Sequence, residues 1–186
     1  SDRADEGGEE RDRDRRRARR ACARRRRGGA FPGVARPRGA ARQVAADTEA
    51  FENPRFSPDG KHVALDVAGR TSTDVWVYET SHGSSARLTA GGSLNARPEW
   101  TPDGTRIVFR SNRDSTSALW WQPLDGSRPA ESILHREGRE VWEGVVAPDG
   151  KGLLYRTGTV GSADIWFRSF TGDTASKSIV ATPATE

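Results

Sequence analysis

The 186-residue sequence holds one cysteine, Cys22, and three scattered histidines, His62, His82 and His135. A single thiol excludes an intrachain disulfide and a cysteine-based zinc site. No run of about 18 apolar residues occurs, so no segment is a candidate transmembrane helix. The first 30 residues are charged and contain no apolar signal-peptide core. An export signal, if the protein carries one, lies outside this chain. Ser1 stands where a translation start would place Met, which reads as a fragment of a longer protein.

Catalytic signatures are absent as well. Gly91-Gly92-Ser93-Leu94-Asn95 lacks the last glycine of a nucleophile elbow. There is no phosphate-binding glycine loop ending in Gly-Lys-Ser/Thr. His135-Arg136-Glu137 resembles a kinase catalytic loop only superficially, with nothing downstream to support it. The histidines read as exposed loop or strand residues. Catalysis needs a positioned nucleophile or base with a partner, and the sequence offers no such constellation. The expectation is a protein that is not an enzyme and uses no metal or cofactor.

Leu, Ile, Trp, Tyr, Lys, Asn and His are all missing from residues 1–50. Such a segment cannot bury enough apolar surface to offset the entropy of ordering, so disorder is expected. Charge is divided at the same place. Residues 1–46 hold 15 Arg and 7 acidic residues, and the remaining 140 hold 15 basic and 19 acidic residues. The overall charge of +4 is therefore a property of the tail. Residues 11–27 can form helix in part, because Arg and Ala favour it, but they present no apolar face. Three readings of the tail stand: an arm for nucleic acid or an anionic surface, a solvated linker, and coding sequence read in the wrong frame.

The rest of the chain is repetitive. Ser57-Pro58-Asp59-Gly60, Thr101-Pro102-Asp103-Gly104 and Ala147-Pro148-Asp149-Gly150 place their prolines 44 and 46 residues apart. A constant period of this size signals a repeat architecture. Other positions keep the register. Val63 and Leu65, Ile107 and Phe109, and Leu153 and Tyr155 lie five and seven residues after the proline. Asp74, Ala118 and Asp164 lie sixteen after it, and Trp76, Trp120 and Trp166 eighteen after. Pro presets the backbone for a type I turn, Asp bonds back to it, and Gly accepts the positive φ that follows. Each Asp is thus a turn former.

Each repeat reads as four short strands. The expected first strand is Asn53–Ser57, followed by His62–Val67, Asp74–Thr80 and Ser85–Thr89. In the second repeat Pro98–Thr101 leads into the turn, and the third begins at Glu143. The third strands are apolar on both faces, as in Val75-Trp76-Val77-Tyr78, so each sheet must be covered on both sides. Sheets of four antiparallel strands sandwiched between copies of themselves are propeller blades. The fold class is all-β: an incomplete β-propeller of three four-stranded antiparallel blades at about residues 53–95, 96–140 and 141–182. It follows a disordered Arg-rich segment, residues 1–50. Trp76, Trp120 and Trp166 are expected in the core, where an aromatic side chain buries about 150–250 Å². Trp100 joins them, with Phe56 and Val146 as its equivalents. Trp121 and Trp142 have no equivalents and are the aromatics freest for a specific role.

The run Asn53-Pro54-Arg55-Phe56-Ser57-Pro58-Asp59-Gly60, followed by Asp74-Val75-Trp76-Val77-Tyr78, resembles the TolB-like β-propeller repeat, a relative of WD-repeat propellers. Residues 97–104 and Ser111-Asn112-Arg113-Asp114 match it closely. The likeness covers about residues 51–182 and extends to propellers behind bacterial serine/threonine kinases and to those of prolyl-oligopeptidase-type peptidases. It implies a non-catalytic platform for a protein partner or small ligand, outside the cytoplasm or in the periplasm. Gly144 departs from Pro54 and Pro98, Ala147 from Ser57 and Thr101, and Ala118 from Asp74. Such propellers are closed rings of more blades than three, so a truncated arc with exposed faces and a tendency to associate is expected.

In a propeller, the loops entering each first strand gather at the central channel. Asn53, Arg55, Arg97, Glu99, Glu140, Trp142 and Glu143 occupy that region. Of these, Arg55, Arg97, Glu99, Trp142 and Glu143 are the candidate binding residues, since charge beside an unpaired indole is an interface-like composition. The alternatives are the gating propeller of a serine peptidase whose catalytic domain lies elsewhere, and nucleic-acid binding through residues 11–27.

Overall fold

A computed structural model describes residues 50–159 and 162–181. The expectations for the Arg-rich tail, including its disorder, partial helix and nucleic-acid role, lie outside the described residues. Twelve strands and no helix occur among those that are described. They form three separate four-stranded antiparallel sheets. The first comprises β1 (Ala50–Phe56), β2 (His62–Ala68), β3 (Thr73–Glu79) and β4 (Ser85–Arg87). The second comprises β5 (Asn95–Trp100), β6 (Arg106–Ser111), β7 (Ala118–Pro123) and β8 (Glu131–Leu134). The third comprises β9 (Glu140–Val146), β10 (Gly152–Thr159), β11 (Ser162–Ser169) and β12 (Ser176–Val180). Strand order in each sheet is sequence order, a plain meander. Three blades of four strands are thus what the described residues form.

The three Pro-Asp-Gly turns are superimposable in their bonding. Gly60, Gly104 and Gly150 share a φ of 71°. Their N–H groups donate to the carbonyls of Ser57, Thr101 and Ala147 at 2.9, 2.8 and 2.8 Å. This is a type I turn closed by a glycine in the left-handed region. In the first two turns a hydroxyl adds to it. Ser57 Oγ donates to Asp59 Oδ1 at 2.7 Å and accepts from the His62 N–H at 2.9 Å. Thr101 repeats both bonds with Asp103 and Arg106. Ala147 has no hydroxyl, and Asp149 keeps only the Lys151 N–H of that set, at 2.9 Å.

First strands begin earlier than sequence alternation indicates. β1 starts at Ala50 instead of Asn53, β5 at Asn95 instead of Pro98, and β9 at Glu140 instead of Glu143. Bulges are the reason. Pairing of β1 with β2 skips Asn53 and Pro54, and pairing of β5 with β6 skips Arg97 and Pro98. Asn53 and Arg97 have φ of 48° and 56°. Proline donates nothing to the ladder and is tolerated in strands at such bulges. Beyond the bulge the strand resumes in the opposite alternation, which hides it from a period-two reading. The fourth strand of the first sheet is shorter than expected, ending at Arg87 instead of Thr89. Thr89 Oγ1 accepts the Val75 N–H at 2.9 Å, so a side chain takes over the ladder there.

The sheets meet through the first strand of the following one: β5 contacts β1, β2 and β3, and β9 contacts β5, β6 and β7. Between them lie two apolar layers. Ala64, Val75 and Val77 of the first sheet meet Trp100, Ile107, Phe109 and Trp120 of the second. Val108 and Leu119 of the second meet Val146, Leu153 and Tyr155 of the third, with Trp166 packed against them. Trp120 is buried, whereas Trp76 and Trp166 are half-buried. Phe56 is 70% exposed, a correction to its expected place in the core. It occupies the same register as buried Trp100 and Val146. However, its face of the first sheet has no sheet against it among the described residues.

Candidate binding face on the first strands

Local backbone chemistry builds this face. The left-handed residues Asn53 and Arg97 are held by one carboxylate. Asn53 Nδ2 donates to Asp66 Oδ2 at 3.1 Å, and the Arg97 N–H donates to Asp66 Oδ1 at 3.3 Å. Asp66 is buried. A buried carboxylate satisfied by donors from two strands fixes both bulges and ties β2 to β5. The bulges in turn carry the candidate residues onto a common edge.

Side chains then pair from sheet to sheet. Arg55 on β1 meets Glu99 on β5 as an ion pair. Arg97 Nη1 on β5 lies 2.7 Å from Glu143 Oε2 on β9. Glu143 Oε1 also lies 2.8 Å from Arg156 Nε of β10, an ion pair. The Arg156 guanidinium stands 4.8 Å from the Trp142 ring centroid, a cation–π arrangement. Trp142 Nε1 donates to the Gly158 carbonyl at 3.2 Å. Further along β9, Glu140 lies 3.3 Å from Arg110 Nη2.

All five sequence-derived candidates therefore lie in one ladder across β1, β5 and β9. Trp142 is not free, as its lack of a repeat equivalent implied: its N–H and one ring face are engaged. Sequence reading missed Asp66, Arg110 and Arg156. All three lie eight residues after their prolines, a register shared by the repeats, and that is the signal that could have found them. The ladder is charge-balanced, with Arg55, Arg97, Arg110 and Arg156 against Asp66, Glu99, Glu140 and Glu143. Its pairs are partly exposed, with 37% and 38% of the side-chain surface open at Arg97 and Glu143. Such pairs are worth about 0–1 kcal/mol each, so exchanging one for a bond to a partner costs little.

A buried node joins the first two sheets on β3. Asp74 accepts from Ser72 Oγ, Asn95 Nδ2 and Thr89 Oγ1 at 2.8, 3.0 and 3.1 Å, and Arg87 Nη2 lies at 2.8 Å. It secures the segment leading into the second sheet and is structural.

Away from the ladder, two clefts open between neighbouring sheets beside the turns. One, of about 440 Å³, is lined by His62, Val77 and Leu124, and the other, of about 800 Å³, by Arg106, Trp121 and Phe170. The lining residues correspond pairwise in the repeat. In the second cleft the Arg106 guanidinium sits 4.4 Å from the Trp121 ring, and Trp121 Nε1 donates to Glu131 Oε2 at 3.2 Å. His62 is half-buried against Trp100, not exposed as expected; the ring centroids are 6.3 Å apart. His82 and His135 are exposed. Among the described residues no three His, Cys, Asp or Glu side chains gather as a metal site. None of the helices that would cross a membrane is found among them either.

Comparison with known proteins agrees with the architecture. The TolB beta propeller domain family matches residues 37–183. The uncharacterized peptidase YuxL of Bacillus subtilis is 28% identical over 99 residues, covering 48% of this chain and 15% of that protein. The solved structure of a putative TolB from Agrobacterium tumefaciens superposes with a TM-score of 0.64 at 20% identity, covering 74% of this chain and 51% of that one. A prolyl endopeptidase structure superposes with a TM-score of 0.57 at 19% identity, covering 73% of this chain and 22% of that one. The chain thus spans about half, or much less, of the length of the relatives it matches.

Proposed function

The chain belongs to the TolB beta propeller domain family, and from that premise we propose that it is a non-catalytic binding module whose contact surface is the charged ladder on β1, β5 and β9. The observation that carries this reading is the series Arg55–Glu99 and Arg97–Glu143–Arg156, with Arg156 stacked on Trp142. Its pairs are weak, partly open and aligned on the strands where the sheets converge. A polar partner can therefore replace them one for one, with the indole as an apolar anchor. A protein partner or a small polar ligand fits this chemistry. By family resemblance the protein works outside the cytoplasm.

The test is a double variant, Trp142→Ala with Glu143→Ala, compared with the unaltered chain in capture of envelope proteins. Loss of the same bound species at unchanged melting temperature supports the reading. Identical capture by both refutes it.

A second reading is favoured by the resemblance to YuxL and to the prolyl endopeptidase propeller. On it, the module gates access to a serine peptidase domain elsewhere in the full protein. A Gly-x-Ser-x-Gly elbow in the flanking coding sequence supports it, and its absence there removes it. Nucleic-acid binding through residues 11–27 is the third reading, tested by salt-sensitive DNA binding that is lost on deleting residues 1–46.

A further inference from the structure

We propose that Asp149-Gly150, in the turn between β9 and β10, is a site of covalent self-modification, where the chain converts from an aspartyl to an isoaspartyl linkage faster than at its other Asp-Gly pairs. The sequence has four such pairs: Asp59-Gly60, Asp103-Gly104, Asp125-Gly126 and Asp149-Gly150. The chemistry is internal to the turn and needs no reactant but water. The Gly150 nitrogen attacks Cγ of the protonated Asp149 carboxyl. The amide proton and the carboxyl hydroxyl leave together as water, and a cyclic succinimide forms. Water then adds to one of the two imide carbonyls. Addition at Cγ restores aspartate. Addition at the α-carbonyl frees the α-carboxylate and routes the backbone through Cβ and Cγ. Glycine permits the attack because no side chain shields its nitrogen.

The three Pro-Asp-Gly turns place this nucleophile alike. Gly60, Gly104 and Gly150 share one φ, and their N–H groups make the same bond at 2.8–2.9 Å. What differs is the carboxyl. Asp59 is pinned by the hydroxyl of Ser57 and Asp103 by that of Thr101, both from buried residues. In the fourth pair Asp125 accepts the Ser127 N–H at 2.9 Å and a bond from the Ser127 side chain. These bonds hold all three carboxyls below the usual range; the largest cause is the hydroxyl for Asp59 and Asp103 and the Ser127 N–H for Asp125. Hydrogen bonds to the ionised form favour it, and a carboxylate lacks the hydroxyl that must leave. Asp149 faces Ala147 in place of a hydroxyl, and of that set keeps only the Lys151 N–H at 2.9 Å. Asp149 and Gly150 are both exposed, and a Cβ built on Gly150 would meet nothing within 4 Å, so the ring has room to form.

The rearrangement reaches beyond the turn. It lengthens the main chain between Ala147 and Gly152, where the Ala147 N–H donates to the Gly152 carbonyl at 2.8 Å and closes the hairpin. It also moves a carboxylate in the wall of the cleft that holds Trp121 and Phe170. The strands joined by this turn carry Trp142 and Glu143 on β9 and Arg156 on β10. A lengthened turn loosens the hairpin that supports them.

The full chain, Ala147→Ser and Ser57→Ala are incubated for weeks at mildly acidic pH, with circular dichroism verifying the fold of each. Isoaspartate is read at every site by peptide mapping and by methylation of the freed α-carboxylate with a protein-isoaspartate methyltransferase. Global unfolding exposes all four pairs alike, so its contribution is common to them. Asp149 is expected to convert on the order of 10-fold faster than the other three, the weight of one hydrogen bond to a charged group. Ala147→Ser brings Asp149 down to the rate of Asp103, and Ser57→Ala brings Asp59 up to the rate of Asp149. In concentrated urea, which removes the turns, the four rates draw together. Equal rates in the folded chain, a fastest site other than Asp149, an unchanged rate in Ala147→Ser, or the same ranking in urea overturns the proposal.

Discussion

Gly144 shows what a single residue decides. A Cβ added there would stand 2.4 Å from Leu119 Cδ1. The third sheet therefore approaches the second only because this position is bare. Gly144 also pairs regularly with Tyr155, where the prolines of the other two repeats interrupt the ladder. Gly144→Ala is expected to destabilise by about 1–3 kcal/mol through overpacking, measured by urea unfolding. Ala147 is the converse case. Its turn matches the other two in backbone geometry but lacks the hydroxyl they use. Ala147→Ser offers Asp149 the missing donor and is expected to stabilise by about 0.5–1.5 kcal/mol. The reverse changes, Ser57→Ala and Thr101→Ala, are expected to cost a similar amount. They also raise the carboxyl pKa of Asp59 and Asp103, which those hydroxyls, as the largest cause, hold below the usual range.

The β3–β4 hairpin carries a second carboxylate of this kind at the scale of an element. Glu79 accepts from Ser81, Ser84 and His82, and these bonds, led by that from Ser81, lower its pKa from 4.5 to about 2. Its folded pKa lies below the unfolded one, so the contribution to stability is complete above about pH 4.5. It fades as the pH falls toward 2. Carbon-detected NMR titration of Glu79 is expected to show the low midpoint, and Ser81→Ala with Ser84→Ala to return it toward 4.5. At the other end of β3, Asp74 is buried among four donors. Asp74→Ala strands Arg87, Asn95 and Thr89 together and is expected to cost about 3 kcal/mol. Sequence reading placed Asp74 in register but gave it no role, because its partners are brought to it by the loop before β3, by β4 and the residues after it, and by Asn95 of the next sheet.

For the whole molecule, what was legible and what was not divides along one physical line. Turns, strand number and blade assembly were readable because Pro58, Pro102 and Pro148 punctuate a local pattern that repeats three times. The tandem of Trp76, Trp120 and Trp166 likewise revealed a shared register. What it could not reveal was their unequal burial, which depends on whether a sheet lies against each of them. Phe56 failed as a core residue for that reason. The candidate face was located from Arg55, Arg97, Glu99, Trp142 and Glu143. Asp66 and Arg156, which hold it together, were missed because they act across strands and through bulges that a period-two reading does not register.

The central claim is that the second and third sheets each lay one apolar face, with Trp120 and Trp166 in it, on the sheet before. Equilibrium urea unfolding of Trp120→Ala, Trp166→Ala and Trp76→Ala tests it most directly. The account predicts a loss of about 3–5 kcal/mol for Trp120, an intermediate loss for Trp166, and the smallest loss for Trp76. Equal losses at the three positions, or the largest loss at Trp76, would contradict it.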